Sequence, residues 1–265
     1  MHMSIIYRTA LITGASSGIG AVFATQLAAA GSDLILVARR REELEKLAQQ
    51  LRSAHGRRVE VIAMDLAKPD PGELLAEEVK QRGLEVDLLV NNAGFGSSAN
   101  FHEDGYERDQ RMIAVNIAAL TELTHAFLPA MVQAGHGAVI NIASAAAFQP
   151  MPYMSVYGAT KAYVLSLTQA LWAEYRGRGV RFLAVCPGPV DTPFFEAADS
   201  GKLRQEIPSA VMMTAEGVVS GSLRALQRDA CVYVPGIAVK LGAVMPRLLP
   251  RRLLAATMGK VMNRR

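Results

Sequence analysis

Tyr157 and Lys161 form the residue pair of this sequence that is best suited to proton transfer. They stand four positions apart in Tyr157-Gly158-Ala159-Thr160-Lys161, and residues four apart on a helix share a face. A free tyrosine, with a pKa of about 10, is a poor base near neutrality, whereas a nearby cation favours the phenolate and lowers that pKa. The pair therefore indicates general acid–base chemistry, although the same spacing is common in helices without a catalytic role.

A second chemical feature is the glycine-rich segment Thr13-Gly14-Ala15-Ser16-Ser17-Gly18-Ile19-Gly20, which follows the apolar run Ala10–Thr13. Gly14 permits a sharp turn, Gly18 allows the backbone to approach a pyrophosphate, and Gly20 allows a helix to pack closely on a strand. Free N–H groups at the start of the next helix would point at the phosphates. The spacing differs from the general G-x-G-x-x-G, so a structural turn is the alternative, but the position after the first strand favours a dinucleotide cofactor.

The end of the second predicted strand indicates which dinucleotide is bound. An NAD site usually carries an acid there to hold the ribose 2′-OH, but this strand ends Val37-Ala38-Arg39-Arg40, and Asp33 lies at its opposite end. A guanidinium suits a 2′-phosphate. We therefore predict NADP(H), with Arg39 as the main contact and Arg40 as a second. The alternative is that both arginines are solvated residues at the start of a helix.

The elements that must position these groups are visible as short apolar runs that alternate with stretches of helical periodicity. The predicted strands are Ala10–Thr13, Asp33–Ala38, Val59–Ala63, Asp87–Asn91, Ala138–Ala143, Val180–Cys186 and Cys231–Val234. The predicted helices are Ile19–Ala30, Arg41–Ala54, Glu73–Arg82, Tyr106–Ala134, Tyr153–Arg176 and Ala215–Arg228. Because the strands are continuous apolar runs, both of their faces should be covered. The sequence predicts an α/β fold with a doubly wound, parallel, seven-stranded Rossmann-like sheet and helices on both faces.

Ser144 ends the fifth predicted strand, 13 residues before Tyr157, where strand carboxyl ends line the ligand crevice of such a sheet. With Ser144 included, the motifs resemble in order those of the short-chain dehydrogenase/reductase family, of the NADP-preferring TGxxxGxG and YxxxK type. The resemblance is carried by Thr13–Gly20, Asp65, Asn91-Asn92-Ala93-Gly94, Asn116, Ser144, Tyr157, Lys161, Pro187-Gly188 and Thr192.

The resemblance implies an NADP(H)-dependent oxidoreductase that interconverts a ketone or aldehyde and an alcohol by hydride transfer. Tyr157 would be the general acid or base, Lys161 would lower its pKa and hold the nicotinamide ribose, and Ser144 would bond the substrate oxygen. Asn116 would hold a water that links Lys161 to solvent; its alternative is a helix-interior amide that bends the helix locally. The four predicted catalytic residues are Asn116, Ser144, Tyr157 and Lys161.

The resemblance also implies most of the cofactor site. Asp65 would meet the adenine, with a helix or turn cap as its alternative, and Asn91 would line the cleft. Some NADP-dependent members have a basic residue where this sequence has Ser17, so the NADP prediction rests on Arg39. The predicted cofactor-binding residues are Gly14, Ser16, Ser17, Gly18, Ile19, Gly20, Arg39, Arg40, Asp65, Leu66, Asn92, Ala93, Gly94, Tyr157, Lys161, Pro187, Gly188, Val190 and Thr192. No metal is predicted, and Cys186 is expected to be a buried, inert thiol.

The substrate is predicted to be a small apolar carbonyl compound or alcohol. In the family the segment after Pro187-Gly188 closes over the substrate, and in this sequence that segment is rich in apolar side chains. They are Phe194, Phe195, Ile207, Val211, Met212 and Met213, with Phe148, Met151, Pro152, Tyr153 and Met154 on the other side. Methionine adapts to varied shapes, although these residues are equally typical of core or dimer contacts.

The charge of +4 is concentrated at the carboxyl end of the chain. Seven of the 28 lysines and arginines lie between Lys240 and Arg265, where there is no acid, so the remainder holds 21 bases against 24 acids. Such a balance disfavours nucleic acid as a partner. We predict one catalytic domain over 1–239 with a substrate lid around 188–213, and a basic amphipathic extension over 240–265. The extension would contact an anionic membrane surface or dock on the body or a sister subunit.

Other expectations concern assembly, location and competing functions. The resemblance implies a homodimer or homotetramer, and the absence of an export signal predicts a cytoplasmic protein. A non-catalytic NADP(H)-binding regulator on the same fold is one alternative, disfavoured by the complete catalytic set. A peripheral membrane reductase of lipid carbonyls is the other.

Overall fold

A parallel sheet of seven strands organises the chain. The computed structural model describes residues 7–199, 204–205, 207–244, 246 and 249–263, without the side chains of 197, 199, 210 and 244. The strands are β1 (Thr9–Thr13), β2 (Asp33–Ala38), β3 (Val59–Ala63), β4 (Leu88–Asn91), β5 (Gly137–Ile142), β6 (Val180–Val185) and β7 (Val232–Tyr233). Their order is β3-β2-β1-β4-β5-β6-β7, and every neighbouring pair is parallel. The predicted doubly wound sheet is confirmed.

Helices cover both faces of this sheet, as the continuous apolar strands require. Successive side chains on a strand point to opposite faces, so Leu11 and Ile12 of β1 belong to two separate cores. Phe23 packs in the core with Ile12, and Phe127 packs in the core with Leu11. The helices are α1 (Gly18–Ala29), α2 (Arg41–His55), α3 (Pro71–Gln81), α4 (Tyr106–Ile113), α5 (Leu120–Ala134), α6 (Ser155–Glu174), α7 (Phe194–Asp199), α8 (Ala215–Gln227), α9 (Ile237–Val244) and α10 (Arg251–Met262).

The long helical stretch Tyr106–Ala134 is not one regular helix. A π-helical segment, Ala114–Ala119, separates α4 from α5, and Asn116 lies within it. The stretch is long and apolar enough to cross a membrane by length and composition, a test that core helices of globular proteins also pass. Its Leu123 and Phe127 pack in the core beside the sheet. Asn116 therefore lies where the backbone departs from α-helical geometry.

The start of α6 and the carboxyl end of the chain also differ from the simple pattern. Tyr153 has a φ of 66°, which is incompatible with a right-handed helix, so α6 begins at Ser155. The predicted extension contains the second half of α9 and all of α10, while Arg247, Arg264 and Arg265 lie outside the described residues. The predicted lid is described except at 200–203 and 206.

A chain of buried amides joins the middle of the sheet to the helices on one face. The Asn91 amide donates to Asn141 Oδ1 (3.0 Å) and to Thr124 Oγ1 (3.2 Å), and the Asn141 amide donates to Thr168 Oγ1 (2.9 Å). All four side chains are buried. Asn91 was expected to line the cofactor cleft, and this expectation is wrong, because its side chain is committed to the interior.

We expect Asn141→Ala to lower the free energy of unfolding by about 2–4 kcal/mol, since it leaves the buried Asn91 amide donor and the buried Thr168 hydroxyl acceptor without these partners. Chemical denaturation would measure the loss. The exposed Asn100→Ala is the matched control, because its amide bonds only Glu103 on the surface among the described contacts. Equal losses in the two variants would contradict the prediction.

Candidate active site at the carboxyl ends of the strands

Tyr157, Lys161 and Ser144 meet where α6 passes the end of β5. Tyr157 is 9% exposed and Lys161 5%, and Lys161 Nζ lies 5.8 Å from the centre of the Tyr157 ring. Lys161 Nζ donates a hydrogen bond of 2.8 Å to the carbonyl oxygen of Ile142. Ser144 Oγ accepts one of 3.1 Å from the Ala146 N–H, which caps a short 3₁₀ helix. The structure thus brings together the three groups that the spacing suggested.

Burial favours the uncharged forms of the Tyr157 and Lys161 side chains. It raises the pKa of Tyr157, which a hydrogen bond with Ser144 lowers in part. It lowers the pKa of Lys161 to about 8. Ser144 therefore acts on the pKa of Tyr157 in the direction that the resemblance assigned to Lys161, and the effect of Lys161 stays a prediction. A neutral phenol is a proton donor, so this arrangement can deliver a proton to an oxygen that gains negative charge.

Asn116 braces the loop that lies beneath this pair. Its amide donates to the Phe95 carbonyl (3.0 Å) and to Thr160 Oγ1 (3.1 Å), and its Oδ1 accepts from the Phe95 N–H (3.2 Å). The residue is 1% exposed and does not line the cleft. A Cβ on Gly94 would lie 3.0 Å from Asn116 Oδ1 and 3.4 Å from Lys161 Nζ. A side chain at 94 would therefore crowd the brace, while the water-holding role of Asn116 stays a prediction.

The glycine-rich loop forms a tight cradle at the start of α1. Gly14 has a φ of 65°, and a Cβ there would lie 2.8 Å from Asn92 Nδ2. A Cβ on Gly20 would lie 2.4 Å from the Gly14 carbonyl oxygen, so this glycine packs behind the loop and does not line the cleft. Ser17, the residue before α1, makes no side-chain capping bond. The first N–H groups of α1 therefore remain available to an anion, as a pyrophosphate site requires.

Arginine side chains surround the far end of the same cleft. Arg40 Nη2 donates to Ser16 Oγ (3.1 Å) and Ser17 Oγ (3.2 Å), and exposed Arg39 lines the cleft beside it. Arg40 thus contacts the glycine-rich loop, and the prediction that Arg39 is the main contact of the cofactor stays a prediction. Both suit a 2′-phosphate.

Asp65 lies opposite these arginines and has two partners. Its Oδ1 accepts from the Ala67 N–H (3.1 Å), which is the turn cap considered as an alternative, and its Oδ2 lies 3.5 Å from Arg111 Nη2. Arg111 comes from α4 and lines the cleft. Sequence reasoning missed it because no motif shows where α4 crosses the strand ends.

One continuous cleft of about 630 Å³ connects these groups. Of the predicted cofactor-binding residues, Gly20 alone does not line it, and of the predicted catalytic residues, Asn116 alone does not. The apolar end is lined by some of the side chains that were predicted to surround the substrate and by residues that were not predicted. The predicted members are Met151, Met154, Phe194, Phe195 and Ile207, and the unpredicted ones include Phe95, Gln149 and Met262.

Comparison with known proteins places this fold and site in a family. The family model described as short chain dehydrogenase matches residues 8–203. A short-chain dehydrogenase from Sphingobium yanoikuyae in complex with NADPH superposes with a TM-score of 0.81 at 35% identity, over 97% of this chain and 96% of that one. The bulky-bulky ketone specific alcohol dehydrogenase of Comamonas testosteroni gives 0.78 at 30% identity, over 97% and 95%. The very-long-chain 3-oxoacyl-CoA reductase-B of Danio rerio is 31% identical over 96% of this chain and 80% of its own length.

The chain belongs to the short-chain dehydrogenase/reductase family, which confirms the resemblance that its motifs carry. It is an oxidoreductase of the class that interconverts CH–OH and carbonyl groups.

Burial of Lys161 predicts how stability depends on pH. Below pH 8 the Lys161 ammonium is charged in both the folded and the unfolded chain, and its desolvation destabilises the folded state. Between pH 8 and 10.5 the folded chain releases the proton first, so the unfolded chain binds more protons and stability rises with pH. The parent should therefore gain stability relative to Lys161→Met over this interval, as thermal unfolding at pH 7.5 and pH 10 would show. Lys46→Met, on the exposed side of α2, is the control; a pH-independent difference for Lys161→Met would refute the assignment.

Proposed function

We propose that this protein is an NADP(H)-dependent reductase or dehydrogenase that interconverts an apolar ketone or aldehyde and its alcohol, with Tyr157 as the general acid or base. The observation that carries the proposal is the position of the Tyr157 phenol. It is buried, lies beside Ser144, and faces a cleft that has a phosphate cradle at one end and apolar side chains at the other.

The residues present fit a dinucleotide. The glycines at 14 and 18 both have positive φ, and a Cβ on either would meet Asn92 or Thr192 within 3.2 Å, so the backbone of the loop is exposed to the cleft without side chains in the way. The start of α1 would hold the pyrophosphate, and Arg39 and Arg40 would hold a 2′-phosphate. The nicotinamide, when bound, supplies the hydride. The NADPH complex of the Sphingobium relative supports this choice of cofactor.

The protein's own residues would manage the proton. The carbonyl oxygen of the substrate gains negative charge as it is reduced, and Tyr157 would donate its phenolic proton to that oxygen while Ser144 donates a second hydrogen bond. In the direction of oxidation the phenolate accepts the proton. Lys161, held by the Ile142 carbonyl, would orient the ribose and supply positive potential when it is protonated.

The apolar end of the cleft supports a substrate with an apolar body. Three methionines, Met151, Met154 and Met262, line it together with Phe194 and Phe195. The thioether side chains adapt to varied shapes, and the rings offer flat apolar surfaces. The Comamonas relative is named as specific for bulky-bulky ketones, and the Danio rerio relative is named as a reductase of very-long-chain 3-oxoacyl-CoA. Both names support a substrate of this apolar class.

Assembly, membrane contact and cytoplasmic location stay predictions. Helices α9 and α10 carry exposed apolar side chains next to exposed basic ones. The apolar residues are Ile237, Leu241, Leu253 and Val261, and the basic residues are Lys240, Arg251, Arg252 and Lys260. This surface is compatible with either a membrane or a sister subunit.

Tyr157→Phe should lower kcat for carbonyl reduction by about 10²-fold or more, because it removes the proton donor, and should leave NADPH affinity nearly unchanged. The measurements are NADPH oxidation across a panel of small, aromatic, steroid and acyl ketones, and fluorescence titration with NADPH. Tyr106→Phe, at a highly exposed tyrosine, is the control. Full activity of Tyr157→Phe would remove tyrosine from the mechanism, and an inactive parent across the whole panel would favour a binding regulator.

Loss of either guanidinium should weaken NADPH binding selectively. Arg39→Ala and Arg40→Ala should each lower NADPH affinity by about 10-fold or more and change NADH affinity little, because only NADPH has the 2′-phosphate. Arg41→Ala is the matched control, since Arg41 pairs with Glu45 on the exposed side of α2. Parallel losses for both cofactors, or tighter binding of NADH by the parent, would overturn the NADP prediction.

A further inference from the structure

The last turn of α10 reaches the substrate end of the cleft. Met262 lines the cleft and packs against the cluster that contains Met112, Met154, Tyr157 and Phe195. No other residue of the described part of the predicted extension lines the cleft. The end of the predicted extension is thus in contact with the cluster that contains Tyr157.

The rest of α10 is attached to the body by few contacts. Within Arg251–Met262, all of which is described, Leu254 is the one buried side chain. Leu253 is 53% exposed and Val261 72% exposed. A helix with so little buried apolar surface opens at low free-energy cost compared with the core helices. The position of Met262 therefore depends on the contacts at the end of the helix.

Tyr153 supplies the polar contact at that end. Its hydroxyl donates a hydrogen bond of 3.1 Å to Asn263 Oδ1, directly after Met262, and its carbonyl accepts one of 2.9 Å from the Ala99 N–H. Its φ of 66° is a left-handed conformation that costs a non-glycine residue about 1–2 kcal/mol. Such a conformation persists where the surroundings hold it, and in this case one strained residue joins the start of α6, the 95–100 loop and the carboxyl-terminal helix.

We propose that Met262 is a specificity-determining residue, a movable wall that α10 places on the substrate end of the cleft and that the Tyr153–Asn263 hydrogen bond keeps there. This inference rests on the proposed function, because it concerns the substrate of the same site. An unbranched thioether changes its shape with little strain, so it admits apolar bodies of different width. The side-chain volume at 262 then sets how large a ketone the site accepts.

The test compares a narrow and a wide ketone, cyclohexanone and benzophenone, with NADPH and the full chain. Met262→Trp should lower kcat/KM for benzophenone relative to cyclohexanone by about 10-fold or more, through KM, and Met262→Ala should raise that ratio. Tyr153→Phe removes only the hydroxyl that bonds Asn263, so it should change the ratio of the two kcat/KM values in the same direction as Met262→Ala. Met258→Ala is the matched control, since Met258 lies on the same helix but does not line the cleft.

A second measurement does not need turnover. A thiol introduced by Met262→Cys should react with a maleimide in the free protein, and saturating benzophenone with NADPH should slow the reaction several-fold. Met258→Cys should show no such protection. An unchanged ketone ratio in both Met262 variants, or equal labelling with and without benzophenone, would overturn the proposal. If the parent oxidises no NADPH but position 262 is still protected from the maleimide, the proposed reaction is overturned and the proposed position of Met262 at the ligand stands.

Discussion

The site depends on one constraint, which is the common direction of the strands. Because β1, β4, β5 and β6 are neighbours and parallel, their carboxyl ends meet at one edge of the sheet. The Gly14 turn, Asn92, Ser144 and Pro187 follow these four ends, so residues far apart in the chain line one cleft. The direction of the strands is in turn imposed by their burial on both faces, since helical crossovers must cover each side.

Close packing and desolvation at this edge are two aspects of the same arrangement. Asn116 bonds both the Phe95 backbone and Thr160, and a Cβ on Gly94 would lie only 3.0 Å from Asn116 Oδ1 and 3.4 Å from Lys161 Nζ. The enclosure that results takes Tyr157 and Lys161 out of water and shifts both toward neutral forms. This desolvation lowers the stability of the fold, and it keeps a phenolic proton donor and a nearby amine at the place where the proposed reaction would use them. The buried hydrogen bond between Asn91 and Asn141 joins β4 and β5, the strands that end at this part of the cleft.

Much of the fold could be predicted from the sequence because local patterns and global architecture agree. Strand positions were correct to within one or two residues, and every predicted cofactor residue except Gly20 lines the cleft. The misses share one cause. Asn91 turns inward, and Arg111, which was not predicted, meets Asp65. In both cases the outcome depends on which side of an element faces a neighbour distant in the chain. No pattern within a short segment contains that information.

By itself the sequence determined the element order, the parallel sheet, the phosphate cradle and the identity of the family, because hydrophobic periodicity and glycine spacing act over short distances. Only the tertiary structure decided that Ser144 lies close enough to Tyr157 to lower its pKa, that Asn116 is a buried brace, and that Met262 lies at the substrate end. These outcomes depend on burial and on contacts between distant segments. Burial sets the free energy of a charge, and distant contacts form only when the chain has folded.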